Sequence, residues 1–263
     1  MKREKMIWLM IAAVVAVGIV FAVSWQGHSQ ETLLAQLHST DWRKRAAAVE
    51  KLIAHGVAKS EEVKKALIDL LDRENRLIEA TWRESGGQEG VAVKYGEGYS
   101  EYYAKLLGIV DKMADFSDKR TVKVLVRSAY NPDSPFAMKL VDHGEAIAPP
   151  LLELVSSDVA AIRANAIALL GEVLRRDKHR LRRMPAKMYE QIKQVLIRGT
   201  IDEDTGVRIL AVRALGKVGD RDVIDVLERV ARSDPAHIPT AGGGAYYPVR
   251  EAAVQALQRL RPK

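Results

Sequence analysis

Cysteine is absent from all 263 residues of the chain. Its absence excludes disulfide bonds, thiolate metal ligands, a cysteine nucleophile and a lipid-modified N-terminal cysteine. Aromatic residues are also scarce, at 6% of the sequence, whereas Ala, Leu, Val and Arg are abundant. Because strands favour aromatic and β-branched side chains and helices favour Ala, Leu and Arg, this composition predicts an all-α fold.

Catalytic and metal-binding motifs are absent from the sequence as well. It has no nucleophile elbow, no phosphate-binding P-loop and no HExxH sequence. None of the six histidines follows another at the three- or four-residue spacing that places two metal ligands on one helix face. They are His28, His38, His55, His143, His179 and His237. We therefore predict no catalytic residue, no metal, no cofactor and no enzymatic activity.

A short motif recurs four times along the chain. Its clearest copy is VRILAVRALGKVGD, which begins at Val207. The other copies are IRANAIALLGEV from Ile162, KRAAAVEKLIAHG from Lys44 and VREAAVQALQ from Val249. In each copy an Arg is followed by Ala three residues later and by Leu seven residues later. One such helix cannot bury its own apolar face, so the copies are expected to stack in a solenoid of about six helical hairpins.

The motif VRxxAxxALGxxGD at residues 207–220 resembles the HEAT-repeat family, specifically the short HEAT-like repeats of the phycobilisome-lyase type. GEAIAPPLLELV, leading into IRANAIALLGEV, carries the same resemblance at residues 144–173, and most of residues 31–263 are covered. The resemblance implies a curved, right-handed α-α superhelix that usually binds proteins through its concave face. The alternative is a ligand-handling or enzymatic solenoid related to the bilin lyases or the HEAT-like DNA glycosylases.

The N-terminal region has the pattern of a membrane anchor. A basic tail, residues 1–5, precedes 18 uncharged residues at 6–23, which as a helix span about 27 Å. The positive-inside rule places the tail in the cytoplasm and the repeats, after a linker at 24–30, outside it, in the periplasm if the membrane is a bacterial inner membrane. The alternative is a cleaved signal peptide and secretion, because Ala22-Val23-Ser24 offers small residues for cleavage.

Two segments rich in Gly and Tyr interrupt the repeats, at residues 83–103 and 233–248. Tyr provides rigid contact area and Gly lets a loop adapt, a combination favoured at recognition surfaces. We therefore predict a shared partner-binding edge, with disordered surface loops of no such role as the alternative. The candidate binding residues are Tyr95, Tyr99, Tyr102, Tyr103, Tyr246 and Tyr247.

A third interruption, residues 175–187, is strongly basic, with seven positive side chains and one negative. It is predicted to be a loop that contacts anionic lipid or an acidic protein, with a simply solvated loop as the alternative. A single basic loop does not favour nucleic acid, which requires positive charge spread over several phosphates. The candidate residues are Arg175, Arg176, Lys178, Arg180, Arg182, Arg183 and Lys187.

One Arg recurs in each copy of the motif. Each of three copies follows a turn that carries Asp41, Asp158 or Asp204. This arrangement suits carboxylate pairing and helix capping between adjacent repeats, so a structural role is predicted in preference to a ligand-binding row. The four residues are Arg45, Arg163, Arg208 and Arg250.

Overall fold

The structure, a computed structural model, describes residues 30–54, 60–85, 89–179, 184–240 and 243–260. The predicted anchor at 6–23 and the basic tail at 1–5 lie outside these residues, as does all but the last residue of the predicted linker. Among the helices that the structure does describe, none has both the length and the apolar character needed to cross a bilayer.

Helices make up most of the described chain, which confirms the predicted all-α, HEAT-like fold class. In the ranges given above there are thirteen α-helices, listed in chain order: α1 (Gln30–Gln36), α2 (Trp42–Ala54), α3 (Glu61–Ser85), α4 (Glu89–Tyr95), α5 (Tyr99–Met113), α6 (Lys119–Arg127), α7 (Pro135–Val141), α8 (Ala148–Leu154), α9 (Ala160–His179), α10 (Ala186–Gly199), α11 (Thr205–Val218), α12 (Ile224–Ser233) and α13 (Pro248–Leu260).

The chain divides into two compact units. Unit 1 comprises Met1–Leu71 and Gly98–Leu106, and unit 2 comprises Asp72–Glu97 and Leu107–Lys263. In the described part of unit 1, α1 packs against α2. The buried core of the unit includes five leucines and two tyrosines: Leu33, Leu52, Leu67, Leu71, Leu106, Tyr99 and Tyr102.

Unit 2 contains a stack of helices in which α11 packs between α9 and α13. These three helices carry the repeat motif, and their partners α8, α10 and α12 each pack against the helix that follows in the chain. The motif's leucines, Leu170, Leu215 and Leu257, are all buried. Burial of this shared apolar face is the main stabilisation available to helices too short to be stable alone.

Glycines of the motif set how closely the stacked helices approach. A Cβ added to Gly171 would lie 2.5 Å from the Cβ of Ala214, and one added to Gly216 would lie 2.6 Å from the Cβ of Ala256. Both distances are shorter than real Cβ contacts. The Leu-Gly pair in the motif is therefore required by helix contact, since any side chain at the Gly position would force the helices apart.

Helix α3 is longer than the sequence predicts. The apolar spacing of residues 60–71 and 76–80 predicts two helices of one hairpin, but a single helix of 25 residues, Glu61–Ser85, includes all of both segments except Ser60. The intervening residues Asp72, Arg73, Glu74 and Asn75 contain neither Gly nor Pro, so nothing in them ends a helix.

The two Gly/Tyr segments have more regular structure than the predicted loops. In 83–103, α3 continues to Ser85, α4 follows and α5 begins at Tyr99. In 233–248, the strands β1 (Ile238–Pro239) and β2 (Ala245–Tyr246) form an antiparallel hairpin in which Ile238 lies opposite Tyr246.

Candidate partner-binding face

Two of the repeat arginines link successive repeats through their side chains. Arg163 donates to both carboxylate oxygens of Asp202, from Nε at 3.1 Å and Nη2 at 2.9 Å, and to the Ser157 carbonyl at 2.9 Å. Arg208 makes the equivalent pair with Asp234, at 2.8 and 3.3 Å. Each arginine therefore binds a carboxylate of the next repeat, and we call these two pairs the arginine ladder.

The remaining repeat arginines bind backbone carbonyls. Arg45 donates to the carbonyls of Ser39 and Thr40, at 2.9 and 3.0 Å. Arg250 donates from Nε to the Asp234 carbonyl at 2.7 Å, and its guanidinium lies over the Tyr247 ring, 4.0 Å from the centroid. The stabilising role predicted for the four arginines remains a prediction.

The carboxylates that pair with the ladder are not the ones that precede each motif. Asp204 caps α11 by accepting the Val207 N–H at 3.0 Å, and Asp41 accepts the Arg43 N–H at 2.9 Å. Asp158 instead receives two hydrogen bonds from Arg83, at 2.7 and 2.9 Å. Two of the three local aspartates thus cap helices, and the ladder carboxylates come from the turn of the next repeat.

The charges of the ladder influence one another. Burial disfavours the ionised form of Asp202, yet the hydrogen bonds and charge of Arg163 outweigh it and hold the pKa of that carboxyl below its ordinary value. The hydrogen bond to Asp202 correspondingly raises the pKa of Arg163. Both groups are therefore ionised at neutral pH and form a charge-assisted pair.

The structure places the candidate tyrosines in different environments. Tyr99 and Tyr102 are only 1% and 6% exposed, and their ring centroids lie 5.7 and 5.8 Å from that of Trp42. They belong to the core of unit 1 and do not offer their rings to a partner, which corrects the predicted binding edge. The sequence did not reveal this because the packing partner, Trp42, lies over fifty residues away.

The other four candidate tyrosines are at least partly accessible. Tyr95 and Tyr103 are half-buried, and Tyr247 is half-buried beneath Arg250. Tyr246 is the most accessible of the six, at 48% exposed, and its cross-strand neighbour Ile238 is 55% exposed.

Most of the described basic residues in 175–187 are engaged within the fold, and α9 continues through His179 where a loop was predicted. Arg175 donates to Glu172 at 2.8 Å, and Arg176 pairs with Asp142. Lys178 donates to the carbonyls of Val218 and Gly219 and to Asp220, at distances of 2.9–3.1 Å, so it caps the C-terminus of α11. These contacts leave fewer cations for an anionic partner than the sequence indicates.

The structure describes only one of the other four basic residues of this segment. Lys187 is exposed near the start of α10. Arg180, Arg182 and Arg183 lie outside the described residues.

A groove that the sequence analysis did not identify follows the exposed side of α9, α11 and α13. Its volume is about 360 Å³. Nine residues line it: Pro132, Asp133, Ala168, Leu210, Arg213, Ala214, Lys217, Gln255 and Arg259. Five of them follow the repeat register, because Ala168, Arg213 and Gln255 are equivalent in the three motif copies, as are Lys217 and Arg259.

The cations of this groove are only partly neutralised. Lys217 donates to Glu172 at 2.8 Å, while Arg213 and Arg259 are exposed and contact no carboxylate in the described residues. Burial opposes the ionisation of Glu172, but hydrogen bonds from Lys217 and Arg175 lower its pKa. The lining holds three cations against the single carboxylate of Asp133, and Glu172 beside it is shared between Lys217 and Arg175, so the groove keeps a net positive charge.

The side chains of the groove are acidic, basic, amide-bearing or apolar. Its lining contains neither a histidine nor a hydroxyl-bearing side chain. Across the described ranges, no three His, Cys, Asp or Glu side chains converge in a manner suited to a metal ion.

The repeats that carry the ladder are similar to a known family. Residues 147–242 match the family model for HEAT repeats. This segment therefore resembles HEAT repeats. It spans α8 to α12 and therefore includes both ladder pairs and the α9 and α11 sides of the groove. The narrower resemblance to repeats of the phycobilisome-lyase type remains a prediction.

Two engineered proteins with crystal structures from the Northeast Structural Genomics Consortium are similar to the chain. The first is 19% identical, with a TM-score of 0.37, and the match covers 89% of this chain and 96% of that one. The second is 18% identical, with a TM-score of 0.36, and the match covers 88% of this chain and 57% of that one. No curated protein matches the sequence.

Proposed function

We propose that the chain is a HEAT-repeat scaffold that binds a protein partner, and that the groove on α9, α11 and α13 is its principal contact site. The observation that carries the proposal is that some arginines of the array form ion pairs within the fold and others do not. The ladder arginines bind carboxylates of the next repeat, whereas Arg213 and Arg259 make no ion pair in the described structure. Exposed arginines on a rigid scaffold are common at protein interfaces.

The hairpin at β1 and β2 supports a second contact. Ile238 and Tyr246 lie opposite each other and are both exposed, so they present an apolar pair to solvent. A large, exposed aromatic residue beside an aliphatic one is typical of partner contacts. We therefore keep this hairpin as a proposed partner contact from the two Gly/Tyr segments that were predicted to bind.

Site-specific photocrosslinking in cells tests the scaffold proposal. A benzophenone-bearing residue replaces Gln255 in the groove, and a matched control replaces Gln191, which is exposed on α10 away from it. We expect a discrete protein adduct, identified by mass spectrometry, from the Gln255 position and none from Gln191. The absence of any adduct at Gln255, or identical adducts at both positions, would contradict a binding role for the groove.

The proposal includes export of the repeats. Its support is the sequence pattern alone: a basic tail at 1–5 followed by 18 uncharged residues at 6–23. A phosphatase that is active only outside the cytosol, fused after Lys263, should be active, and a cytosolic reporter at the same position should not. The mass of the isolated N-terminus distinguishes a retained anchor from a cleaved signal peptide, and an inactive phosphatase fusion would refute export.

A further inference from the structure

We infer that the segment which the groove receives is an acidic peptide, whose carboxylates bind Arg213 and Arg259 while apolar side chains rest between them. This inference rests on the proposed function and specifies its partner. It is carried by the charge, composition and repeat register of the groove.

Arginines of the array differ in whether they bind a carboxylate of the chain. Arg163, Arg208, Arg175 and Arg176 all bind carboxylates of this chain. Arg213 and Arg259, which lie on neighbouring helices and line one groove, bind none among the described residues. A guanidinium matches the two oxygens of a carboxylate, and Arg213 and Arg259 lack the ligand that these four arginines have.

Part of the groove lining is apolar. Four of its nine residues have apolar side chains: Pro132, Ala168, Leu210 and Ala214. Contact with such a surface is favourable for aliphatic side chains. A peptide that alternates carboxylates with aliphatic residues therefore matches the lining, whereas a polymer of charge alone does not.

The same lining disfavours nucleic acid. It contains no aromatic side chain on which a base could stack. Its three cations, one of which already binds Glu172, are few for a backbone that carries a charge on every phosphate. A peptide carboxylate needs only one arginine at a time, so it suits this spacing of charge.

Asp133 contributes a negative charge to the groove lining. It accepts no hydrogen bond from a side chain in the described structure. An acidic ligand is repelled there and attracted toward Arg213 and Arg259. The substitution Asp133→Asn should therefore strengthen binding, which is a gain of function that damage to the fold does not produce.

Fluorescence anisotropy on the full-length chain in non-ionic detergent tests the inference. The probe is a fluorescein-labelled dodecapeptide of alternating Glu and Leu, compared with a Gln/Leu peptide and a single-stranded DNA of twelve nucleotides. We expect the acidic peptide to bind at low salt and to weaken as salt rises, with Arg213→Gln/Arg259→Gln reducing its affinity at least tenfold. Asp133→Asn should raise the affinity severalfold, and the control Arg198→Gln, an exposed position on α10, should leave it unchanged.

Several outcomes would overturn the inference. They are equal binding of the Glu and Gln peptides, full binding by the double variant, an equal loss in Arg198→Gln, or tighter binding of DNA that the double variant abolishes. The crosslinking experiment keeps this failure separate from failure of the scaffold proposal. A Gln255 adduct that persists in the double variant refutes only the acidic peptide, whereas a missing adduct in the unaltered chain refutes the groove as a protein-binding site.

Discussion

Arg208 and Arg213 lie five residues apart on helix α11, and the structure uses them in opposite ways. Arg208 is buried and donates to Asp234, to two carbonyls of its own turn and to the Thr205 hydroxyl. Arg213 is exposed in the groove and makes no ion pair in the described part of the chain. A repeat helix thus presents one arginine to its neighbour in the stack and another to solvent.

The difference between Arg208 and Arg213 follows from their positions on the helix. Five residues turn a helix by about 500°, or 140° beyond a full turn, so the two side chains leave it in different directions. The ladder side faces the turn of the next repeat, and the groove side faces solvent. Substitutions on the two sides are therefore expected to have different effects, and the following predictions proceed from the largest to the smallest.

The substitution Arg208→Ala should cause the largest loss. It leaves the buried carboxylate of Asp234 without its charged donor, and breaking a buried pair costs about 3 kcal/mol. Urea denaturation followed by circular dichroism measures the free energy of unfolding. The matched variant Arg213→Ala should stay within about 0.5 kcal/mol of the unaltered chain, and equal losses in both variants would end the distinction between the two sides.

The substitution Gly216→Ala should also destabilise, by about 2 kcal/mol. The added methyl would lie 2.6 Å from the Cβ and 2.9 Å from the Cα of Ala256, so α11 and α13 must separate. Gly108→Ala is the control, because no atom lies within 4 Å of its added Cβ, and it should stabilise by about 0.5 kcal/mol. Thermal melting of both variants checks the prediction, and similar melting temperatures would contradict the close approach.

The pair between Arg163 and Asp202 should make the free energy of unfolding depend on pH. Arg163→Gln is expected to lose about 1.5 kcal/mol at neutral pH, because Asp202 loses charged hydrogen bonds. The pKa of Asp202 is lower in the folded state, so the pair stabilises the fold above the unfolded pKa of about 3.9 and loses this contribution as pH falls through the folded pKa. The difference between the two proteins should therefore narrow as the pH is lowered below about 4.

Urea denaturation at several pH values measures this difference. Arg198→Gln, an exposed position without an ion pair among the described residues, is the control and should match the unaltered chain throughout. A gap that is constant from neutral to acidic pH would show that Asp202 is not the group responsible.

The double variant Arg213→Gln/Arg259→Gln should show the smallest effect on folding. Both side chains are exposed, and neither makes an ion pair in the described residues, so unfolding free energy should change by less than about 0.5 kcal/mol. Calorimetry measures the change. A substantial loss of unfolding free energy would mean that the groove arginines stabilise the array, contrary to the proposal that they serve to bind a partner.

The repeat motif allowed much of the fold to be predicted. Its Arg, Ala and Leu spacing correctly indicated the helices α2, α9, α11 and α13, since apolar periodicity is a local property of the chain. The same spacing did not reveal that α3 is continuous. A predicted hairpin there required a turn between residues 71 and 76, and no residue in that interval opposes helix.

The candidate sites were harder to predict, because each depended on residues distant in sequence. Composition alone made Tyr99 and Tyr102 resemble contact residues, but packing against Trp42 buries them. The charge of the basic segment suggested a free surface, but Arg176 and Lys178 find partners at Asp142 and Asp220. In both cases the deciding partner lies 34 or more residues away.

The sequence by itself determined that this chain forms helices with one apolar face each, because that property depends only on the spacing of side chains along a single helix. Only the tertiary structure decided which charged side chains form ion pairs within the fold and which stay exposed. The physical reason is that an arginine is satisfied by whichever carboxylate or carbonyl the stacking of repeats brings within hydrogen-bonding distance. Arg208 meets Asp234 in this way, and Arg213, on the same helix, is directed into an open groove.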